Sequence, residues 1–137
     1  MFDIFNTLQE KQVLPPLAIT DNTPRVGTVV DLVGFDALKF SIAIGTLADA
    51  DATFTTLVED SDDNVSFSPV ADDFLLGTEA EASFTFSDDN EQRSIGYVGS
   101  KRYVRLTITP ANNTGSAVFG VTAILGYALN APTTNNA

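Results

Sequence analysis

A regular alternation of apolar and polar side chains limits the possible folds of this chain more than any other feature of its sequence. In ALKFSIAIGT (residues 37–46), every second residue is large and apolar: Leu38, Phe40, Ile42 and Ile44. Successive side chains of an extended strand point to opposite faces, so a period of two predicts a strand with one buried face.

The same period recurs along most of the chain after residue 17. Candidate strands are VGTVVDLV, ATFTTLVED, ASFTF, RSIGYVG, KRYVRLTIT and AVFGVTAILGYAL, with shorter pieces at residues 66–70 and 74–76. Clusters rich in Asp, Asn, Pro and Gly separate them, as expected of turns. Because the pattern shows no helix long enough for a crossover between parallel strands, we predict an all-β fold, an antiparallel β-sandwich of the jelly-roll type. Gly96 and Gly99 predict a tight hairpin between the strands on either side of them.

The two ends of the chain differ from the middle. We predict an N-terminal arm at residues 1–17, a β-sandwich domain at 18–129 and a polar C-terminal tail at 130–137. In the arm, Phe2, Phe5 and Leu8 recur every three residues with Ile4 beside them, a pattern typical of one face of a short helix. Pro15-Pro16 would end such a helix. The arm either packs on a neighbouring subunit, or frays or packs on its own domain.

Composition excludes several classes of function. The chain has no Cys and no His, which removes disulfides, thiolate metal sites and nucleophile systems that depend on histidine. A net charge of −11 disfavours nucleic acid and anionic membranes as partners. No signal peptide and no membrane-spanning stretch is recognisable. No pair of carboxylates is marked out for catalysis, so we expect a protein that is not an enzyme and needs no cofactor.

Acidic residues cluster in the predicted loops, at 60–63, 72–73 and 88–89. Carboxylates are the ligands that calcium prefers, but the spacing does not match an EF-hand loop. Asp also favours turns by accepting hydrogen bonds from nearby backbone. We interpret the clusters as solvated turns and predict no metal site, although calcium binding stays open as an alternative.

A net positive charge is found only in the late part of the sequence. Residues 1–92 carry eighteen acids and three bases, whereas residues 93–137 carry four bases and no acid. In KRYVRLTIT, Val104, Leu106 and Ile108 share the inward parity, and Tyr103 and Arg105 the outward one. The outward residues either contact another protein or form cross-strand ion pairs. The predicted interface residues are Phe2, Ile4, Phe5, Leu8, Arg93, Lys101, Arg102, Tyr103 and Arg105.

The segments VADDFLLGT, IGYVGSKRYVRLTITP and AVFGVTAILG carry a family resemblance. Over residues 18–127 the chain resembles the capsid cement (decoration) proteins of tailed bacteriophages. The resemblance implies a virion protein, made in the host cytoplasm, that binds the capsid exterior and clamps neighbouring major capsid subunits, often as a dimer or trimer. The alternatives are another virion component (tail, neck or head fibre) and a carbohydrate-binding β-sandwich module.

Overall fold

The computed structural model describes residues 2–134, so Met1 and the last three residues of the predicted tail lie outside the described part of the chain. Within it the chain forms eleven strands: β1 Gln9–Ile19, β2 Arg25–Val26, β3 Val30–Asp31, β4 Phe35–Leu47, β5 Thr53–Ser61, β6 Ser68–Pro69, β7 Leu75–Leu76, β8 Phe84–Thr85, β9 Gln92–Tyr97, β10 Tyr103–Ala111 and β11 Ala117–Ala128. Helical structure in these residues is limited to α1 (Glu79–Ala82) and two 3-10 turns, Asp72–Phe74 and Phe86–Asp88.

The strands form two antiparallel sheets that enclose one core, which confirms the predicted β-sandwich. Sheet A has the order β1-β11-β4-β9-β7. Sheet B has the order β2-β10-β5-β6, with β3 also paired to β10 and β8 to β5. Every pairing is antiparallel, and the longest is that of β11 with β4.

The predicted hairpin between β9 and β10 is wrong. Strand β9 pairs with β4 and β7 in sheet A, whereas β10 pairs with β5 in sheet B. Residues 98–102 therefore cross from one sheet to the other. A glycine-rich turn indicates that the chain changes direction, but the strand's next partner depends on packing elsewhere in the molecule.

The core lies between the sheets and follows the predicted parity. In β10, Val104, Leu106 and Ile108 are each 0 % exposed. Three phenylalanines at the centre, Phe54, Phe84 and Phe119, form an aromatic cluster with ring centroids 4.9–5.5 Å apart. Such contacts add about 0.5–1.5 kcal/mol per pair to the stabilisation from burial.

The N-terminal segment is divided between the sheet and the surface. Gln9–Ile19 forms β1 at the edge of sheet A, and Val13 and Leu14 are buried. The two prolines fit this strand because they follow Leu14 at a register shift, on an edge where a missing N–H breaks no ladder. Only residues 2–8 of the predicted arm extend beyond the sheet. In place of a helix they form one turn, in which the Leu8 N–H donates to the Ile4 carbonyl at 3.3 Å.

Candidate functional site

The four basic residues of β9, β10 and the crossing segment between them all pair with carboxylates of their own chain. The nitrogen–oxygen distances are 2.7 Å for Arg93–Asp88, 3.5 Å for Lys101–Asp60, 2.8 Å for Arg102–Asp31 and 3.1 Å for Arg105–Glu59. The hydrogen bonds from Arg102 also lower the pKa of Asp31. The Arg105 guanidinium lies 4.1 Å from the centre of the Phe67 ring, a cation–π contact. Arg105–Glu59 is a cross-strand pair, because the two residues are opposite each other in β10 and β5, whereas the other three pairs involve a turn or the crossing segment. Interface roles for the four basic residues stay predictions.

One of these pairs belongs to a polar bridge between the sheets. The Tyr97 hydroxyl of β9 donates to the Asp60 carboxylate of β5 at 2.8 Å and accepts the Lys101 N–H at 3.1 Å. Tyr97 and Asp60 are 3 % and 7 % exposed. Burial, with the neighbouring carboxylate, raises the pKa of Tyr97 to about 12. This bridge fixes the crossing segment 98–102 at one end of the sandwich.

Carboxylates in the acidic loops accept hydrogen bonds from nearby backbone N–H groups. Asp63 accepts hydrogen bonds from the N–H groups of Ser66 and Val65 and from the Ser61 hydroxyl, which lower its pKa to about 2. Asp89 accepts the Leu47 N–H at 2.6 Å. Among residues 2–134, no group of three or more acidic side chains could hold a metal ion.

The two ends of the chain meet at one end of the sandwich because β1 and β11 are antiparallel neighbours, with Gln9 opposite Leu125. The Thr133 N–H donates to the Asn6 carbonyl at 3.0 Å, and its hydroxyl donates to the Leu8 carbonyl. Around this junction lie large exposed apolar side chains, which we call the terminal patch: Phe2 (96 % exposed), Ile4 (68 %), Phe5 (59 %), Tyr127 (81 %) and Leu129 (71 %).

Tyr127 is held in an unusual backbone conformation within this patch. Its φ is +51°, in the left-handed region that a bulky side chain rarely adopts. Such conformations cost about 1–3 kcal/mol and persist where surrounding structure imposes them, often at functional sites. The neighbouring pairings impose it here, since Ala128 pairs with Phe35 and the Leu129 N–H donates to Gly34. The result is an aromatic side chain presented to solvent.

A groove of about 740 Å³ crosses the outer face of sheet A beside the terminal patch. In one row across the sheet, Leu76, Gly96, Lys39 and Ile124 are neighbours in register. Glycine makes room for the leucines that fold over this face: a Cβ at Gly96 would lie 3.0 Å from the Leu76 side chain, and one at Gly126 would lie 3.1 Å from Leu8. Thr7, Leu8, Tyr127 and Ala131 line the groove on the side of the chain ends.

The structure brings some of the predicted interface residues together and separates others. Phe2, Ile4 and Phe5 lie in the terminal patch, and Leu8, half-buried, lines the groove. Tyr103 is half-exposed on sheet B, where the Arg102 guanidinium lies 5.0 Å from its ring centre. Tyr127 and Leu129 did not appear in the prediction. Both have the parity of the buried residues Val121, Ala123 and Leu125, so the strand pattern gave no sign that they are exposed or that β11 ends beside the N-terminal turn.

Comparison with known proteins assigns no family. No protein-family model and no curated protein matches the chain. Among solved structures it is similar to the SPBc2 prophage-derived protein YomS (16 % identity, TM-score 0.48, 90 % of this chain and 98 % of that one). It is also similar to a Bacillus endospore appendage that forms disulfide-linked pili (14 %, 0.45, 95 % and 98 %) and to a xylan-binding domain of CBM 22 (12 %, 0.45, 93 % and 90 %). Likenesses this weak assign neither a family nor a function.

The described residues contain no helix of the length and apolar character that a membrane crossing requires.

Proposed function

We propose that this chain is a non-enzymatic structural protein of a phage particle, which binds the outside of the capsid and holds neighbouring major capsid subunits together. The observation that carries the proposal is the terminal patch. Five large apolar side chains, each more than half exposed, surround the junction of the two chain ends. A group of large, exposed apolar side chains of this kind is typical of a contact with another protein.

Charge supports apolar docking rather than electrostatic docking. The cations of β9, β10 and the crossing segment are neutralised within the chain, so they leave little positive charge for an acidic partner. Residues 126–134 carry no charged side chain, and residues 2–8 carry only Asp3. The terminal patch is thus a mainly apolar surface with a single carboxylate, that of Asp3, on a strongly acidic protein. The resemblance of residues 18–127 to capsid cement proteins supports the capsid as the partner.

The copy number of the chain in purified phage particles tests this proposal. Quantitative mass spectrometry would give the ratio of this chain to the major capsid protein. If the chain is about as abundant as the major capsid protein, the result supports a clamp over the whole capsid. A handful of copies would instead place the chain in the neck, tail or fibres, and complete absence would contradict any virion role.

Attachment of variants to particles that lack the protein tests the patch itself. Tyr127→Asn with Leu129→Ser removes two apolar side chains, and Asn tolerates the left-handed backbone at 127. Each buried side chain contributes about 1.5–3 kcal/mol, so we expect attachment to weaken at least about 100-fold. The matched control is Val65→Ser, which removes an 81 % exposed valine in the 61–66 loop and should attach like the wild type.

The alternative function is that of a carbohydrate-binding module. The presence of a groove favours it, but the small number of aromatic side chains in the groove does not. Sugar rings stack on exposed aromatic side chains, and Tyr127 is the aromatic residue that lines the groove. Tyr97 is buried and Tyr103 lies on the other sheet. A glycan array would test this function, and specific binding that Tyr127→Asn abolishes would favour it over the capsid role.

A further inference from the structure

We propose that the groove on sheet A is a docking site for the N-terminal segment of a second copy of this chain, which inserts Phe2 and Ile4. This contact rests on the proposed function only in taking the terminal patch as a contact surface. In the dimer Phe2 and Ile4 are buried in the partner's groove, so the contact with the capsid falls to the other members of the patch. It concerns the chain in solution and does not require a capsid.

The groove and the segment match in character. The groove is lined mainly by apolar atoms, including the side chains of Leu8, Leu76 and Ile124 above a floor of small residues. The segment carries Phe2 and Ile4, which are 96 % and 68 % exposed.

Charge adds a specific match. Lys39 lies exposed in the groove and forms no ion pair among the described residues. Asp3 lies between Phe2 and Ile4, so the segment offers a carboxylate flanked by apolar side chains. At neutral pH this carboxylate is ionised, and hydrogen bonds from the Asn6 side chain and backbone lower the pKa of Asp3 further.

The local structure favours a second copy over the segment's own groove. The Asp3 carboxylate accepts from the Phe5 and Asn6 N–H groups, and the Thr7 hydroxyl donates to the Asp3 carbonyl. Together with the bond from Thr133 to Asn6, these contacts hold residues 3–8 as a compact turn. Phe2 and Ile4 are thereby held in solvent instead of along the groove that Leu8 lines.

Symmetry then predicts a dimer. The segment and the groove are adjacent on one molecule, since Ile4 is only four residues from Leu8, a reach of about 13 Å. A two-fold axis beside the terminal patch would place each segment in the other copy's groove, which gives an isologous interface with two identical contacts.

Sedimentation velocity of the untagged full chain over a dilution series tests the contact. We expect a monomer–dimer equilibrium for the wild type. The segment variant Phe2→Ser with Ile4→Ser, and the groove variant Ala37→Trp, should each weaken dimerisation at least about 100-fold. The matched control is Ala43→Trp, which adds the same side chain on the same face of β4 outside the groove and should dimerise like the wild type. Circular dichroism and urea midpoints would verify that each variant folds.

A mixing experiment identifies the contact. The segment variant keeps an intact groove and the groove variant keeps an intact segment, so the mixture should form a heterodimer through one contact although neither variant dimerises alone. Lys39→Glu should weaken the wild-type dimer, and less so at high salt. A wild type that is monomeric at every concentration, an Ala37→Trp variant that dimerises like Ala43→Trp, or a mixture without heterodimer would overturn the proposal. None of these results would change the copy number in particles, so failure of the capsid role is measured separately.

Discussion

Removal of one hydroxyl group from the bridge between the sheets, by Tyr97→Phe, should destabilise the fold by about 2–3 kcal/mol. The hydroxyl donates to the Asp60 carboxylate at 2.8 Å and accepts the Lys101 N–H at 3.1 Å. A hydrogen bond to a charged group contributes about 1.5–3 kcal/mol, and a buried group that loses its partner incurs a further desolvation penalty. Asp60 is 7 % exposed, and in the variant its remaining described partner is Lys101 at 3.5 Å.

Urea denaturation at neutral pH measures this loss as a fall in the unfolding free energy, and Tyr103→Phe is the matched control. The Tyr103 hydroxyl has no hydrogen-bond partner among the described residues, so its removal should change stability by less than about 0.5 kcal/mol. If both variants unfold at the same urea concentration, the bridge contributes nothing and the reasoning fails.

The stabilisation that Tyr97→Phe removes should depend on pH in the alkaline range. Because the folded protein raises the Tyr97 pKa from 10 to about 12, folding favours the neutral phenol. Its stabilising contribution is complete below pH 10 and decreases as the pH rises towards 12. The difference in stability between the wild type and Tyr97→Phe should therefore shrink over that range. A constant difference would contradict the assigned cause.

Three further substitutions test other parts of the structure by urea unfolding. Tyr127→Gly should raise stability by about 0.5–1 kcal/mol, because glycine adopts the left-handed backbone without strain. It should also weaken attachment to particles, because it removes an exposed aromatic side chain of the terminal patch. Lower stability of the variant would contradict the assigned strain. Gly27→Ala should cost more than about 1 kcal/mol, because its Cβ would lie 2.6 Å from the Leu106 carbonyl oxygen; a neutral effect would show that the backbone adjusts. Arg105→Glu should cost about 1–2 kcal/mol, less at high salt, because the new carboxylate faces Glu59 and the contact with Phe67 is lost. At protein concentrations where the wild type is monomeric, Lys39→Glu should cost almost nothing, and equal costs for the two variants would refute the ion pair.

The sequence was a good guide to which residues are inside, because alternation is a local property. The parity of KRYVRLTIT placed Val104, Leu106 and Ile108 in the core, where they are fully buried. The sequence pattern did not predict which strands pair, because residues 98–102 cross between the sheets where a hairpin was expected. Antiparallel pairing joins residues far apart in the chain, and a two-residue period is compatible with any partner that offers a matching face.

The candidate site was predictable only in part, for the same reason. The apolar N-terminal residues were recognisable because they stand apart from the strand pattern. Their neighbours Tyr127 and Leu129 were not, since they lie about 120 residues away and come close only through the pairing of β1 with β11. The groove likewise combines Gly96, Lys39 and Gly126 from three strands, whose order in sheet A no local pattern encodes.

By itself, the sequence determined an acidic all-β chain without histidine or cysteine, its buried faces and its loops, because side-chain parity, turn chemistry and composition are fixed residue by residue. The tertiary structure decided which charges neutralise one another, where the chain ends meet and which apolar side chains stay exposed. Those outcomes depend on distances between residues remote in sequence, and these distances are set only when the two sheets pack around a common core.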